Sequence, residues 1–358
     1  MFGRFRRGSF SSFGYDRPFR FVRSLLKGND ITTCNLETPI TAKTYWTRVH
    51  SSLVFRAKPR VAGMLAHAGF TLIGTANNHC QDQKDQGILD TIQYLTRAGL
   101  AWAGTGRSQQ EAWKPYIFEK HGVKVGVLVV TRLVNYEGMR QRTGFLAHLT
   151  RQRVRRDLPP KVAALKKHVD FVVVVLHWGE EYHHLVLWRE RKLVRLLEAA
   201  GCDVLIGAHP HVLRGIERWG KMVAFYSLGN FLFDFRFGRI GDSGLAHVVF
   251  EKAPSGKRIV LAEFIPINIA RDRLPHPALG HNGADIMRRV AAYSRAFRKT
   301  TTFRVVAGRL QVVLPWNTGL ARPRATGSET HHVGSGTHHV GSGAHRIGSR
   351  RTHHGGTP

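Results

Sequence analysis

Cysteine is scarce: Cys34, Cys80 and Cys202 are the only three in 358 residues, and no two stand in CxxC spacing. That excludes a disulfide framework and a thiolate zinc site, and leaves all three as expected core residues. Apolar runs are short as well. None approaches the ~20 residues needed to cross a bilayer, so the densest, Phe171 to Leu176, reads as a buried strand. The opening residues lack the basic-then-apolar order of a signal peptide, because arginines and glycines interrupt the apolar positions from Arg4 through Arg23. No GxxxxGK[ST] loop for nucleotide phosphates is present. Acidic residues are outnumbered, 24 against 54 Lys and Arg, giving a formal charge of +30.

Little of that charge lies at the end of the chain, since residues 316–358 carry five arginines against Glu329. The rest is therefore basic, and such a field attracts polyanions through a long-range force that salt weakens. An Arg-rich codon bias would give the same composition. No RNA- or DNA-binding signature accompanies the charge, so nucleic acid is not the expected partner. From Ser328 onward a degenerate seven-residue repeat (THHVGSG, THHVGSG, AHRIGSR) is expected to be disordered. Its paired histidines could bind transition metals weakly; a plain unstructured extension or a reading-frame artefact is the alternative. The expected organisation is a folded domain over residues 1–315 and a tail over 316–358.

Upstream, strand-like runs alternate with helix-period segments, the pattern of an α/β domain. Val123 to Val130 and Phe171 to Leu176 read as strands. Gly87 to Ala98 and Arg189 to Ala200 read as helices, each followed by a capping glycine, Gly99 and Gly201. Arg151 to Lys167, broken by Pro159-Pro160, reads as an exposed connection followed by a helix.

Four polar motifs each follow an apolar segment, where α/β proteins place ligands at the carboxyl edge of a sheet. They are Asn35-Leu36-Glu37, Asn77-Asn78-His79, His177-Trp178-Gly179 and His209-Pro210-His211. A lone strand-end His is usually structural, and an Asn pair often marks a turn. Together, however, the motifs offer imidazole, carboxylate and amide donors without thiolate, a mixture suited to Mn, Fe or Zn in a hydrolytic site. His79 could act as a general acid beside such a site.

The stretches NLETPIT from Asn35, FRAKP from Phe55, ANNHCQDQKDQGILDT from Ala76, HWGEEY from His177, GCDVLIGAHPHVLRGIE from Gly201 and YSLGNFLFD from Tyr226 resemble the ordered motifs of the bacterial capsule-synthesis (CapA, poly-γ-glutamate biosynthesis) family. The resemblance implies a calcineurin-like metallophosphoesterase α/β fold, with two sheets packed face to face and helices outside. It implies two divalent ions held by Glu37, Asn78, His177, His209 and His211, with His79 as general acid oriented by Asp82. Asn35, Asn77 and Asn230 would line the pocket. It further implies a phosphorylated small substrate or an anionic polymer, capsule-synthesis membrane proteins as partners, and envelope association. A non-catalytic basic scaffold that binds an acidic capsule polymer is the alternative. Two departures stand out. Met1 to Arg4 resembles only the tail of the family's opening motif, without its strand and metal-binding Asp: either the start is assigned too far downstream, which would restore an ordinary site, or one ligand and a core strand are missing, which would weaken one metal position and leave a sheet edge exposed. Lys84 stands where the family often has Gly.

Overall fold

Alternating valines build the centre of the molecule. Along the strand Val123–Thr131, Val125, Val127 and Val129 point to one buried cluster, while Leu128 and Val130 point to another. A strand with two apolar faces must lie between two layers, and this one does. The computed structural model describes residues 2–3, 16–45, 54–135, 145–233 and 238–316, all within the unit Met1–Thr318. The histidine-rich repeat falls outside them.

In chain order the strands are β1 (Phe2–Gly3), β2 (Thr33–Glu37), β3 (Leu72–Gly74), β4 (Ala101–Ala103), β5 (Tyr116–Lys120), β6 (Val123–Thr131), β7 (Phe171–His177) and β8 (Val204–Ala208). They continue as β9 (Ile216–Trp219), β10 (Met222–Phe225), β11 (Leu232–Phe233), β12 (Asp242–Ala253), β13 (Gly256–Ile269), β14 (Pro275–Pro277), β15 (Phe303–Val306) and β16 (Arg309–Val312). The helices are α1 (Arg23–Leu26), α2 (Arg60–Ala68), α3 (Lys84–Arg97), α4 (Gln109–Ala112), α5 (Val154–Lys166), α6 (Trp188–Ala199) and α7 (Gly280–Tyr293). The first sheet runs β11-β1-β2-β3-β4, all parallel. The second runs β5-β6-β7-β8-β10-β9, parallel except at β5 and β9.

These two sheets meet face to face. Leu72 and Ala103 of the first share a cluster with Val125, Val127, Val129, Phe171 and Val175 of the second. On the outside, α2 packs on Leu36 and Ile73, while α5 and α6 pack on Leu128, Val172, Val174 and Leu205. The packed-sheet sandwich flanked by helices is therefore the observed fold. A third, antiparallel sheet, β12-β13-β16-β15, covers Val204, Val223 and Phe225 with help from α7. The motif series did not extend that far.

The structure differs from expectation at the first strand and at Pro159-Pro160. The first strand is present as the stub β1, whose Phe2 and Gly3 pair with Leu36 and Glu37 on one side and Leu232 and Phe233 on the other. Only Thr33–Asn35 of β2 lack a strand on that side among the described residues. The segment around Pro159-Pro160 is corrected outright: both prolines lie inside α5. Neither can donate a helical hydrogen bond, but burial of Val154, Leu158, Val162 and Leu165 against the second sheet outweighs the loss. The cysteines are core residues: Cys80 and Cys202 are buried, Cys34 is half-buried, and none is bonded to another. Burial pushes the Cys34 and Cys80 thiols up to about 12. No helix among the described residues is long and apolar enough to cross a membrane.

Candidate metal centre

Strand register fixes the level of the site. Thr131, His177 and Ala208 are successive partners across β6, β7 and β8, so the residues that follow Ala208 emerge beside His177. In the facing sheet Gly3 pairs with Glu37, and Asn35 pairs with Gly74. The carboxyl ends of both parallel sheets thus open on one place, and all four motifs meet there.

Glu37 is fully buried at the end of β2. Its Oε2 accepts from Asn35 Nδ2 at 3.2 Å, while Oε1 has no hydrogen-bond partner among the described residues and lies 3.7 Å from His211 Nε2. Burial pushes the Glu37 carboxyl up to about 7. His177 Nε2 faces Asn78 Oδ1 at 2.8 Å, and its buried Nδ1 also lacks a hydrogen-bond partner among the described residues. One donor atom each from Glu37, His177 and His209 lies within 4.8 Å of the other two. The His177 and His209 rings meet edge to face at 4.9 Å.

Burial first, then the neighbouring His209, His211 and His79, hold His177 well below the ordinary imidazole value. Burial and the same neighbourhood bring His209 down to about 3. Both are neutral bases, the form that ligates a cation. The His-Pro-His turn is strained: His209 has φ 100 and His211 has φ 59, a left-handed region that costs a non-glycine residue ~1–3 kcal/mol. His211 Nδ1 is held by Asn230 Oδ1 at 2.9 Å, and Asn230 Nδ2 donates to the His211 carbonyl at 3.4 Å. Orphaned buried atoms on a carboxylate and an imidazole, with three more oxygen and nitrogen donors beside them, fit a divalent cation.

His79 stands at the edge of this cluster, its Nδ1 2.8 Å from Asp82 Oδ2, while Phe55 stacks on its ring at 3.8 Å. The Phe55 N–H also donates to that Asp82 oxygen, at 2.6 Å. Burial alone would lower the His79 pKa. The Asp82 hydrogen bond and charge, supported by Glu37, outweigh burial and raise it. Asn77 shapes the turn: its Oδ1 accepts from the His79 N–H at 3.1 Å and its Nδ2 donates to the Leu36 carbonyl at 2.7 Å.

Sequence reasoning missed several neighbours. Asn135 Nδ2 lies 3.3 Å from His79 Nδ1, and its Oδ1 accepts from Asn78 Nδ2 at 2.9 Å. It follows the carboxyl end of β6, so the strand-end rule that found the motifs could have found it. Phe55 had only its place in a family motif to mark it. Behind the site, the buried Arg214 forks onto Glu190, with Nη1–Oε1 and Nη2–Oε2 both 3.0 Å, a pairing that no local pattern signals.

The family profile described as "Bacterial capsule synthesis protein PGA_cap" matches residues 1–235. The PGA biosynthesis protein CapA of Bacillus subtilis (strain 168) is 31% identical over 283 residues, covering 76% of this chain and 73% of that protein. The capsule biosynthesis protein CapA of Bacillus anthracis is 30% identical over 276 residues, covering 75% of this chain and 65% of that protein. Among solved structures, a 5'-nucleotidase from Candida albicans SC5314 aligns with a TM-score of 0.36 at 14% identity, over 64% of this chain and 43% of that one. By the profile and the two Bacillus relatives, the chain belongs to the bacterial capsule synthesis protein family PGA_cap.

Proposed function

We propose that this chain is a metal-dependent hydrolase of the phosphoesterase type, working in capsule or poly-γ-glutamate biosynthesis on a phosphorylated small substrate or an anionic polymer. The observation that carries the reading is that two buried atoms, Glu37 Oε1 and His177 Nδ1, have no hydrogen-bond partner among the described residues and sit in a cluster with His209. Glu37, Asn78, His177, His209 and His211 would hold the cations, two of Mn, Fe or Zn. Bound there, such ions would supply Lewis acidity to a phosphoryl centre and to the attacking water. The chain's own residues do the rest. His79, with Nδ1 tied to Asp82, keeps Nε2 to deliver a proton to the leaving oxygen. Asn35, Asn77 and Asn230 hold Glu37, the His79 turn and His211 in place.

We assign residues 1–315 to this domain and 316–358 to a tail. The Bacillus relatives' names support a place in polymer synthesis; partners among capsule-synthesis membrane proteins and a location at the envelope belong to the same proposed reading. The charge of +30 supports a second reading, a non-catalytic scaffold that holds an acidic polymer. Replacing His79→Asn separates the two. Under the hydrolase reading, turnover of a phosphate ester falls by ~10²–10⁴-fold while poly-γ-glutamate binding is kept. A wild type with no esterase activity, whose polymer binding is lost on neutralising surface arginines, would establish the scaffold instead.

A further inference from the structure

Beside the metal ligands sits an aromatic residue, the last of the HWGEEY stretch, to which neither the sequence reading nor the cation cluster gives a role. Tyr182 has φ 60. A bulky side chain in the left-handed region is an outlier, and such strain persists only where the surroundings impose it, most often at binding sites. Here the Tyr182 N–H donates to the Pro210 carbonyl at 2.8 Å, which ties this backbone to the His209-Pro210-His211 turn. The tyrosine ring lies nearly parallel to His211, with centroids 5.8 Å apart and planes 23° apart. His211 is buried, yet Tyr182 keeps 47% of its surface exposed. The ring is therefore held at the mouth of the site.

The segment carrying it is anchored from behind. His184 Nδ1 lies 2.8 Å from the Leu213 carbonyl, and its ring stacks on Tyr293 at 4.5 Å. Arg214 binds both the Leu185 carbonyl and the Glu190 carboxylate. A Cβ at Gly179 would come within 3.0 Å of Arg214 Nη1 and 3.1 Å of Pro210, so this turn and the His-Pro-His turn are packed together. Tyr182 is thus preorganised, which reduces the ordering cost of a contact.

We infer that Tyr182 is a substrate-contact residue, its ring stacking on a planar or apolar organic group attached to the phosphoryl centre. This rests on the hydrolase reading and deepens it: the site would take phosphoryl compounds with an organic face, and would discriminate against small aliphatic ones.

Two phosphonates test this, phenylphosphonate and methylphosphonate, titrated calorimetrically into the Mn²⁺-loaded full chain. Wild type and Tyr182→Phe should bind the phenyl compound about fivefold more tightly, the size of an aromatic stacking contribution. Tyr182→Ala should lose that preference and bind methylphosphonate as the wild type does. A preference that survives in Tyr182→Ala would overturn the assignment while leaving the metal centre intact. So would an equal loss for both phosphonates, which marks a structural role, or a Phe variant that behaves as Ala does. A wild type that binds neither compound removes the phosphoryl-binding reading itself, and the Tyr182 assignment with it.

Discussion

Glu37 is where the chemistry of the site is most exposed to test. Burial pushes its carboxyl up to about 7, and a cation must displace the proton before it can bind. Affinity for Mn²⁺ should therefore fall about tenfold per pH unit below 7. Glu37→Gln should bind more weakly and with a flatter pH dependence. Calorimetric titrations from pH 8 to 5 check this, and a wild-type affinity that ignores pH would exclude Glu37 as a ligand. In the cation-free protein the same shift has the opposite consequence for stability. With the folded value raised, Glu37's contribution is complete below the ordinary value of ~4.3 and is lost as pH rises through about 7. His177 and His209, held neutral by burial, do not compete for protons in that window.

At the scale of elements, the sequence was legible where periodicity and burial agree. The strands β6 and β7 and the helices α3 and α6 lie within a few residues of the expected bounds. The strand-end position of Glu37, His177 and His209 was legible for a related reason: parallel strands put their carboxyl ends at one level. What was not legible depends on contacts distant in sequence. Proline spacing alone breaks α5, yet its four buried apolar residues hold it as a helix. Asn135, Phe55 and Tyr182 join the site through partners 27 to 57 residues away. Lys84 is a legible departure with a structural cost. It starts α3 at φ 56, where glycine would sit without strain. Lys84→Gly should raise stability by roughly 0.5–1 kcal/mol, the relief of strain less the added entropy of the unfolded chain. A denaturant midpoint that moves down would show the strain to be absent.

At the scale of the whole molecule, three sheets share the load, and the third brings a buried acid of its own. Glu263 on β13 is 1% exposed. Burial would raise it, but hydrogen bonds from His247, Gln311 and Arg309 outweigh that and bring it down to about 2. With the folded value depressed, its contribution is complete above ~4.3 and lost as pH falls toward 2, roughly 2–3 kcal/mol in all. Glu263→Gln should remove most of that acid-range slope in pH-dependent unfolding; an unchanged slope would place the loss elsewhere. The net charge of +30 belongs to this scale too, and under the second proposed reading it would favour association with an anionic polymer at low salt.

The central claim is that the two sheet ends assemble a metal site from Glu37, His177 and His209, and elemental mass spectrometry tests it most directly. Full-length wild type is compared with the Glu37→Gln, His209→Ala double variant after identical exposure to Mn, Fe and Zn and extensive dialysis. Both proteins carry the same histidine-rich tail, so its contribution cancels. The expected result is one to two tightly held ions per chain in the wild type and their loss in a variant that remains folded. Equal metal content in the two folded proteins would contradict the site.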